Sequence, residues 1–370
     1  MNKPIVFLLS LMALTACTKQ QTTGIHLENL DTTAVAQNDF YQYACGGWMK
    51  NNPIPDEYSR FGSFDKLGLS NLEQVNGLIA DIAAGTHKMG SIPQKIGDVY
   101  NLSMDTARRN QEGIAPVLPV LQEIENVTDK AQWSEVLGKA MDFGLWAMYV
   151  DADAMNSSMN ILNEYQAGFA LSQKDYYIDE DEHTKHIREE YVKHVEKMFE
   201  LFGQENAAEK AQAVLRLETR LANAALSNVE LRDPVANYNK MSVEELQKLV
   251  PEVDWKVYFA GLNIAPDSLS VGQVRHLQEA GKMLAEESLE DMKTLFTWQV
   301  IDGSADFLTE EIFMQNFEFY GRILSGRQEP TPLWKRAVAM VNGTLGEAVG
   351  QMYVEKYFPE ENKERMIGLV

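Results

Sequence analysis

The chain has 370 residues and a net charge of −21, from 33 basic and 54 acidic side chains. At about 150 residues per domain, this length predicts two or three domains or one large one. The charge argues against a nucleic-acid-binding protein, because phosphates require a positive surface. Two cysteines are too few for a disulfide-rich scaffold or a four-cysteine zinc site. The apolar content of 45% is typical of a globular protein with a core.

The N-terminus resembles a bacterial lipoprotein signal peptide. Lys3 precedes an apolar run over residues 5–14, which is shorter than the roughly 20 residues of a membrane-spanning helix. The run closes with the letters LTAC, which resemble a lipobox whose cysteine is lipidated. We therefore expect 1–17 to be a signal peptide ending in a lipidated Cys17, and the protein to face the periplasm or exterior of a bacterial cell envelope. An ordinary cleaved signal with a chance cysteine is the alternative.

Residues 18–36 are polar and lack sustained periodicity, so we expect a flexible tether. An envelope location would permit disulfides. Lipidation would use Cys17, however, and leave Cys45 without a partner in this chain. Cys45 has no nearby histidine in the sequence, which argues against a nucleophilic role.

The remainder is predicted to be mainly α. Ser242 and Glu245 match a helix-capping box, and Gly203 predicts a helix stop. Evidence for strands is confined to 145–150 and 161–171, which would form one small hairpin or sheet. Apolar residues recur at helical spacing over 71–83, 133–141, 187–202, 214–221, 271–297 and 332–357.

Common catalytic motifs are missing from the sequence, including the nucleophile elbow, the phosphate loops and H-E-x-x-H. The nearest approach to a metal site is the set His183, His186, Glu190 and His194, which falls within about 80° on one helix face. This set could bind a metal weakly. Because an apolar stripe runs beside it, we expect these four residues to form the solvated flank of the helix.

Five strings occur in the order and spacing of a known family. They are NDFYQYACGGWM (38–49), SRFGSFD (59–65), LSQKDYYI (171–178), RDPVANYNKMSVEE (232–245) and WKRAVAMVNGTLGEAVGQMYVEKYF (334–358). From about residue 37 onward the chain resembles the N-terminal half of the neprilysin and endothelin-converting-enzyme family of zinc metallopeptidases. The resemblance implies a mostly helical protein of two interleaved lobes around an enclosed cavity. One lobe carries zinc, and the other is a lid that admits only small peptides.

The resemblance implies that Arg60 and Asp65 bind substrate. In the family, the arginine of this string lies at the primed-side subsites and can face the C-terminal carboxylate of a peptide, which a guanidinium grips with two hydrogen bonds. A structural salt bridge is the alternative for Arg60. Some members carry a second arginine three residues after the aspartate. Gly68 occupies that position here, which argues against a strong preference for a free C-terminus.

Other residues of these strings are expected to be structural. Gly46 and Gly47 would allow a close backbone approach, and Gly343, Gly346 and Gly350 would allow close helix packing. We expect a set of aromatic residues to be buried where lobes meet: Phe40, Tyr41, Trp48, Phe61, Tyr176 and Tyr177.

The family's H-E-x-x-H motif, its downstream zinc-binding glutamate and its substrate clamp belong after residue 370. The resemblance therefore implies zinc in the full-length protein, but neither a catalytic residue nor a metal ligand in this chain. Pro359 begins a further helix whose apolar face, at Met366 and Ile367, has no stop signal. We expect that the chain is truncated or split, and that its residues 37–370 form the N-terminal domain of the full-length protein. A natural lid-only protein is the alternative.

These expectations describe the lid and cavity wall of a lipid-anchored zinc metalloendopeptidase, inactive without its C-terminal catalytic half. Its partners would be small peptides, that catalytic half, and a membrane through the lipid on Cys17. The alternatives are a non-catalytic peptide-binding envelope lipoprotein and a structural envelope lipoprotein without a ligand. Expressed alone, the chain should fold poorly, because separation from the other lobe would expose apolar surface.

Overall fold

A computed structural model describes residues 26–140 and 142–369. The predicted signal peptide 1–17, with Cys17, lies outside the described residues, as does the first part of the predicted tether. The chain divides into two compact units after Pro55.

The first unit contains a 3₁₀ helix, Leu27–Asn29, and helix α1, Phe40–Asn51. Gly47 allows these two elements to meet, because a β-carbon there would lie 2.5 Å from the carbonyl oxygen of Glu28. The predicted close approach at this glycine pair is confirmed.

Two aromatic residues of the first unit are exposed. Phe40 and Tyr41 are 69% and 68% exposed within the described chain, and their burial against another lobe stays a prediction. Both lie in the first turn of α1, which Asp39 caps by accepting a hydrogen bond from the Gln42 N–H at 2.8 Å. Cys45 is a half-buried free thiol.

The second unit is mainly helical, as predicted. Ser242 and Glu245 form the expected capping box, and Gly203 ends a helix with φ of +68°. The predicted pattern over 271–297 is divided between two helices, because Ser288 caps a new one. The helices are α2 Ser63–Ala83, α3 Ile92–Met104, α4 Thr106–Glu112, α5 Leu118–Glu125, α6 Trp133–Lys139, α7 Asp175–Ile178, α8 Glu182–Leu201, α9 Ala207–Ala224, α10 Val243–Leu249, α11 Trp255–Gly261, α12 Val274–Glu286, α13 Leu289–Ser304, α14 Glu310–Asn316, α15 Leu333–Tyr357 and α16 Glu360–Ile367.

A small sheet accompanies the helices. Its strands are β1 Trp146–Asp153, β2 Asn156–Gln166, β3 Asn239–Ser242 and β4 Ser268–Val271, in the order β1-β2-β4-β3. The predicted hairpin is β1 with β2. Strand β4 extends it by pairing parallel to β2 and antiparallel to β3. Strands β3 and β4 were not predicted from the sequence, since four residues are too few to show a period of two.

Three apolar clusters form the core of the second unit. The first surrounds the sheet and includes Trp133, Trp255 and Phe296. The second joins α8, α9 and α13, and the third joins α2, α3 and α15. Among the described helices, none is both long and apolar enough to cross a membrane.

Helix α15 departs from one expectation. A β-carbon at Gly343, Gly346 or Gly350 would meet no atom within 4 Å, so the prediction of close helix packing is wrong for the part of the chain that the structure describes. The helix also bends at Leu345, where φ is −132° and ψ is 24°. Its buried face instead uses Val338, which belongs to the third cluster.

Candidate functional site

The segment that carries Arg60 is fixed to the rest of the second unit before Arg60 is reached. The carbonyl oxygen of Asp56 accepts hydrogen bonds from the N–H groups of Gln328 and Glu329, at 2.9 and 3.0 Å. Glu57 forms an ion pair with Lys335 near the start of α15. These contacts join residues far apart in sequence, so the position of this segment depends on the tertiary fold.

Lys335 is the centre of this anchor. Its side chain is only 7% exposed, its ammonium donates to the Tyr58 hydroxyl at 3.3 Å, and it lies 5.1 Å from the centre of the Tyr58 ring. Burial opposes the charge of Lys335, but the hydrogen bonds to Glu57 and Tyr58 outweigh it and raise the pKa of the ammonium. The Tyr58 ring in turn packs edge-on against Phe61, with centroids 5.4 Å apart.

Arg60 lies between Tyr58 and Phe61 and is exposed. It makes no ion pair within residues 26–140 and 142–369, so the structure does not contain the salt bridge that was its alternative role. An exposed guanidinium on an anchored segment can bind a carboxylate from outside the chain. Contact with a peptide stays a prediction.

Asp65 has a structural task at the start of α2. Its Oδ2 atom accepts a hydrogen bond from the N–H of Gly62 at 2.7 Å. That bond satisfies one of the backbone donors that a helix leaves unpaired at its N-terminus, and the negative charge suits this end of a helix. Asp65 therefore holds the turn between Arg60 and α2. A direct contact with substrate stays a prediction.

Apolar side chains follow Arg60 along the first turns of α2. Phe64 is 88% exposed and Leu67 is 59% exposed, and their spacing of three residues places them on neighbouring parts of the helix surface. Gly68 is exposed, and a β-carbon there would meet no atom within 4 Å. The surface thus offers a cation, two apolar groups and space for a further side chain.

The histidine set of α8 is not brought together as a metal site. His194 is buried, whereas His183 and His186 are exposed. The expected solvated flank is correct for those two and wrong for His194, whose ring stacks on Phe319 at 5.1 Å. Burial lowers the pKa of His194 to about 3.

Across 26–140 and 142–369, no three His, Cys, Asp or Glu side chains are grouped so that they could hold a metal ion. The residues described therefore do not fit a zinc ion.

The second unit also contains a buried polar network that was not predicted from the sequence. Glu218 is fully buried and accepts hydrogen bonds from the hydroxyls of Tyr177 and Tyr191, at 2.9 and 2.7 Å. The indole N–H of Trp298 donates to the Tyr191 hydroxyl at 2.8 Å. Burial raises the pKa of Glu218 to about 8. Tyr177 is thus satisfied inside the second unit, which corrects its expected place at a lobe interface.

The similarity of this chain to known proteins shows which family it belongs to. Residues 36–370 match the N-terminal model of the family described as peptidase family M13. The chain belongs to peptidase family M13. This confirms the resemblance to the neprilysin and endothelin-converting-enzyme family of zinc metallopeptidases, and it assigns the chain to the N-terminal half of such a protein.

Named relatives agree with this assignment. Bovine and human endothelin-converting enzyme 1 are each 25% identical over 358 residues, which cover 92% of this chain and 47% or 46% of the relative. The chain thus spans about half the length of the curated relatives it matches. The zinc metalloprotease Zmp1 of Mycobacterium tuberculosis, solved with an inhibitor, is 30% identical with a TM-score of 0.87, over 93% of this chain and 54% of Zmp1.

PepO from Lactobacillus rhamnosis shares the fold, with 21% identity and a TM-score of 0.76 over 90% of this chain and 54% of that one. The predicted fold class, mainly α with a minor β element, is confirmed. For members of this M13 family, zinc belongs to the full-length enzyme.

Proposed function

We propose that this chain is the N-terminal part of a zinc metalloendopeptidase that cleaves small peptides, and that it forms the lid and the wall of the reaction cavity. The observation that carries the proposal is the match over residues 36–370, together with the TM-score of 0.87 to a zinc metalloprotease. The described residues offer no zinc site, so hydrolysis requires the C-terminal catalytic half. Residues 37–370 would be the N-terminal domain.

Within this domain we assign peptide recognition to Arg60, held in place by Asp65. The support is an exposed guanidinium without an ion pair in the described chain. Its segment is anchored before Arg60 by the ion pair of Glu57 with Lys335, and after Arg60 by the Asp65 cap. A planar guanidinium binds a carboxylate with two parallel hydrogen bonds, which suits the C-terminal end of a small peptide.

We also propose that the protein is anchored in the bacterial envelope and faces the periplasm or exterior. The support is the apolar run followed by LTAC, with Cys17 as the lipidated residue and 18–36 as the tether. The later part of this tether contains the 3₁₀ helix Leu27–Asn29, which meets α1. Mass spectrometry of the mature N-terminus tests this directly. A diacylglyceryl group on Cys17 is the expected result, and an unmodified N-terminus elsewhere would overturn it.

The enzymatic proposal is tested on the mature protein purified from its own cells. We expect an intact mass about twice that of this chain, bound zinc, and cleavage of small peptides that stops when a chelator removes the metal. A mass matching this chain plus lipid, with peptide binding but no cleavage, would overturn it in favour of a peptide-binding lipoprotein. If the protein neither binds nor cleaves peptides, that result would indicate a structural lipoprotein.

Arg60 is tested with two versions of one peptide substrate, with a free and an amidated C-terminus. Arg60→Ala should raise KM for the free peptide by at least about tenfold, since a charge-assisted pair is worth about 1.5–3 kcal/mol and about 1.4 kcal/mol corresponds to a factor of ten. It should leave the amidated peptide unchanged. The matched control is Arg232→Ala, which removes another exposed arginine and should affect neither peptide. An equal loss for both peptides would show that Arg60 does not bind the carboxylate.

A further inference from the structure

A cavity of about 670 Å³ lies between α4, α15 and the 3₁₀ turn Ala305–Phe307. Its lining shares no residue with the Arg60 segment, and it has no part in the proposed function. Three arginines contribute to the lining: Arg108, Arg109 and Arg336. Such a cluster is notable in a chain whose net charge is −21.

Two of these arginines lack the partners that partly buried arginines have elsewhere in the protein. The Nε atom of Arg109, and the Nε and Nη1 atoms of Arg336, are out of contact with water and have no hydrogen-bond partner in the described chain. Arg220, whose side chain is 25% exposed, makes ion pairs with three glutamates at 2.5–2.6 Å. Buried unpaired donors cost free energy, so Arg109 and Arg336 are suited to receive an acceptor.

The acidic residues beside the cavity do not supply that acceptor. Glu112 is paired with Arg108 at 2.7 Å, and the Oδ1 atom of Asp306 accepts a hydrogen bond from Asn316 at 3.0 Å. Neither carboxylate lies within ion-pair distance of Arg109 or Arg336 among the residues that the structure describes. The guanidinium groups of Arg109 and Arg336 therefore have no directly paired carboxylate in the part of the chain that the structure describes, although Glu310 and Asp306 offset part of the charge of Arg336 from a distance.

Arg336 lies against an aromatic ring. Its guanidinium carbon is 3.7 Å from the centre of the Phe313 ring, a cation–π contact that restricts its position. Burial lowers the pKa of Arg336. The charge of Glu310 opposes this shift, the charge of Arg109 adds a smaller lowering, and the charge of Asp306 opposes it more weakly. An anion would relieve both the burial of this charge and the repulsion between the two arginines.

Apart from its charged residues, the lining of the cavity is mostly apolar, and Ser103 and Thr344 are its uncharged polar side chains. Leu102 and Phe307 are 52% and 56% exposed, and Met340 and Ala337 line the side formed by α15. The volume lies within the range of small-molecule sites, about 300–1,000 Å³. It is therefore much larger than an inorganic ion needs, so the ligand should carry an apolar body.

We propose that this cavity binds an organic anion, with a carboxylate or phosphate headgroup held by Arg109 and Arg336 and an apolar body lying against Leu102, Phe307 and Met340. The proposal depends on neither the zinc site nor the peptide-binding role of Arg60.

The test uses the full-length protein and four probes with one chain length: octanoate, octyl phosphate, octylammonium and octanol. Calorimetry should detect binding of octanoate, octyl phosphate or both. The anion that binds more tightly identifies the preferred headgroup. Arg336→Gln and Arg109→Gln should each weaken the bound anion at least about tenfold. Arg108→Gln should change its affinity less than about threefold, because Arg108 is exposed and already paired with Glu112.

A second pair of variants guards against misfolding. Gly343 lines the cavity and Gly350 does not, and a β-carbon at either would meet no atom within 4 Å. Gly343→Leu should place a side chain in part of the cavity and weaken anion binding, whereas Gly350→Leu, in the same helix, should leave binding intact. Circular dichroism would verify the fold of each variant.

Several results would overturn the proposal. Equal binding of octanol and octanoate would show that the cavity is only apolar. If Arg108→Gln and Arg336→Gln weakened anion binding equally, the arginines would attract the anion only through their general positive charge and not through a specific contact. Absence of anion binding by the full-length protein would also overturn it. If Arg336→Gln then destabilised that protein, the acceptor would be an acidic group of the catalytic half.

Discussion

The ammonium of Lys335 meets the carboxylate of Glu57 across 278 positions of sequence. This ion pair fixes the start of α15 to the segment that leads to Arg60. Lys335 is 7% exposed and Glu57 is 20% exposed. If one partner is removed, water can therefore solvate the remaining charge of Glu57 better than that of Lys335. That difference makes the role of the pair measurable.

Removing either partner should destabilise the full-length protein, but unequally. Glu57→Gln leaves a nearly buried ammonium without its counter-ion and should cost about 2–4 kcal/mol, whereas Lys335→Met leaves the more exposed carboxylate and should cost less. Both should also raise KM for peptides with a free C-terminus, because Arg60 loses its support. Denaturant titration and peptide kinetics measure the two effects. A larger cost for Lys335→Met would contradict this account.

Glu218 should make the protein less stable as pH rises. Its pKa is about 8 when folded, against 4.5 for a free glutamate. The folded state therefore binds more protons between these values, and this group lowers the free energy of unfolding by up to about 1.4 kcal/mol per pH unit. Glu218→Gln should make the fall in stability between pH 4.5 and 8, measured by denaturant titration, less steep. Part of the fall should persist, because burial also raises the pKa of Glu164 to about 8 and that of Asp302 to about 7.

The matched control for Glu218 is Glu244→Gln, which removes a carboxylate at an exposed position. This control should leave the dependence of stability on pH as it is in the wild type. Identical pH slopes for wild type and Glu218→Gln would refute the role given to Glu218.

His194 should act in the opposite direction. Its pKa is about 3 when folded, against 6.5 for a free histidine. The unfolded state therefore binds the extra proton, so the stability contributed by neutral His194 is present above pH 6.5 and is lost as the pH falls. His194→Phe should preserve the stack on Phe319 and reduce acid sensitivity between pH 6.5 and 3, as measured by denaturant titration. His183→Phe, at an exposed position of the same helix, should leave that sensitivity unchanged.

Two glycine substitutions should have opposite signs. Gly47→Ala places a methyl group 2.5 Å from a backbone oxygen and should reduce hydrogen-exchange protection of α1. Gly77 lies inside α2, where a β-carbon would meet no atom within 4 Å. Gly77→Ala should therefore stabilise its helix by about 0.5–1 kcal/mol. Stabilisation by both substitutions would show that the close approach at Gly47 is wrong.

The isolated chain of residues 37–370 should aggregate. Phe64 and Leu67 are 88% and 59% exposed, and exposed apolar groups on one helix face promote association. The double variant Phe64→Ser, Leu67→Ser should raise the soluble monomeric fraction, as measured by size-exclusion chromatography. Val229→Ser and Val235→Ser, at other exposed positions, are the matched control. A monomeric wild-type chain with a sharp, cooperative melt would contradict the prediction.

Local pattern was sufficient for the helices and for the family. The capping box at Ser242 and the stop at Gly203 could be predicted because caps depend on neighbouring residues. The family strings identified the N-terminal half of a zinc metallopeptidase, which the match over residues 36–370 confirms. Each of these signals lies within a short stretch of chain.

Only the tertiary structure decided the features that depend on distant residues. The sequence placed His194 with His183 on a solvated flank, but packing of Phe319 buried it. Strands β3 and β4 exist because β2 pairs with β4. The Lys335–Glu57 pair and the unpaired guanidinium of Arg336 follow from which helices meet. Burial and charge pairing depend on neighbours in space, whereas periodicity and capping depend on neighbours in sequence.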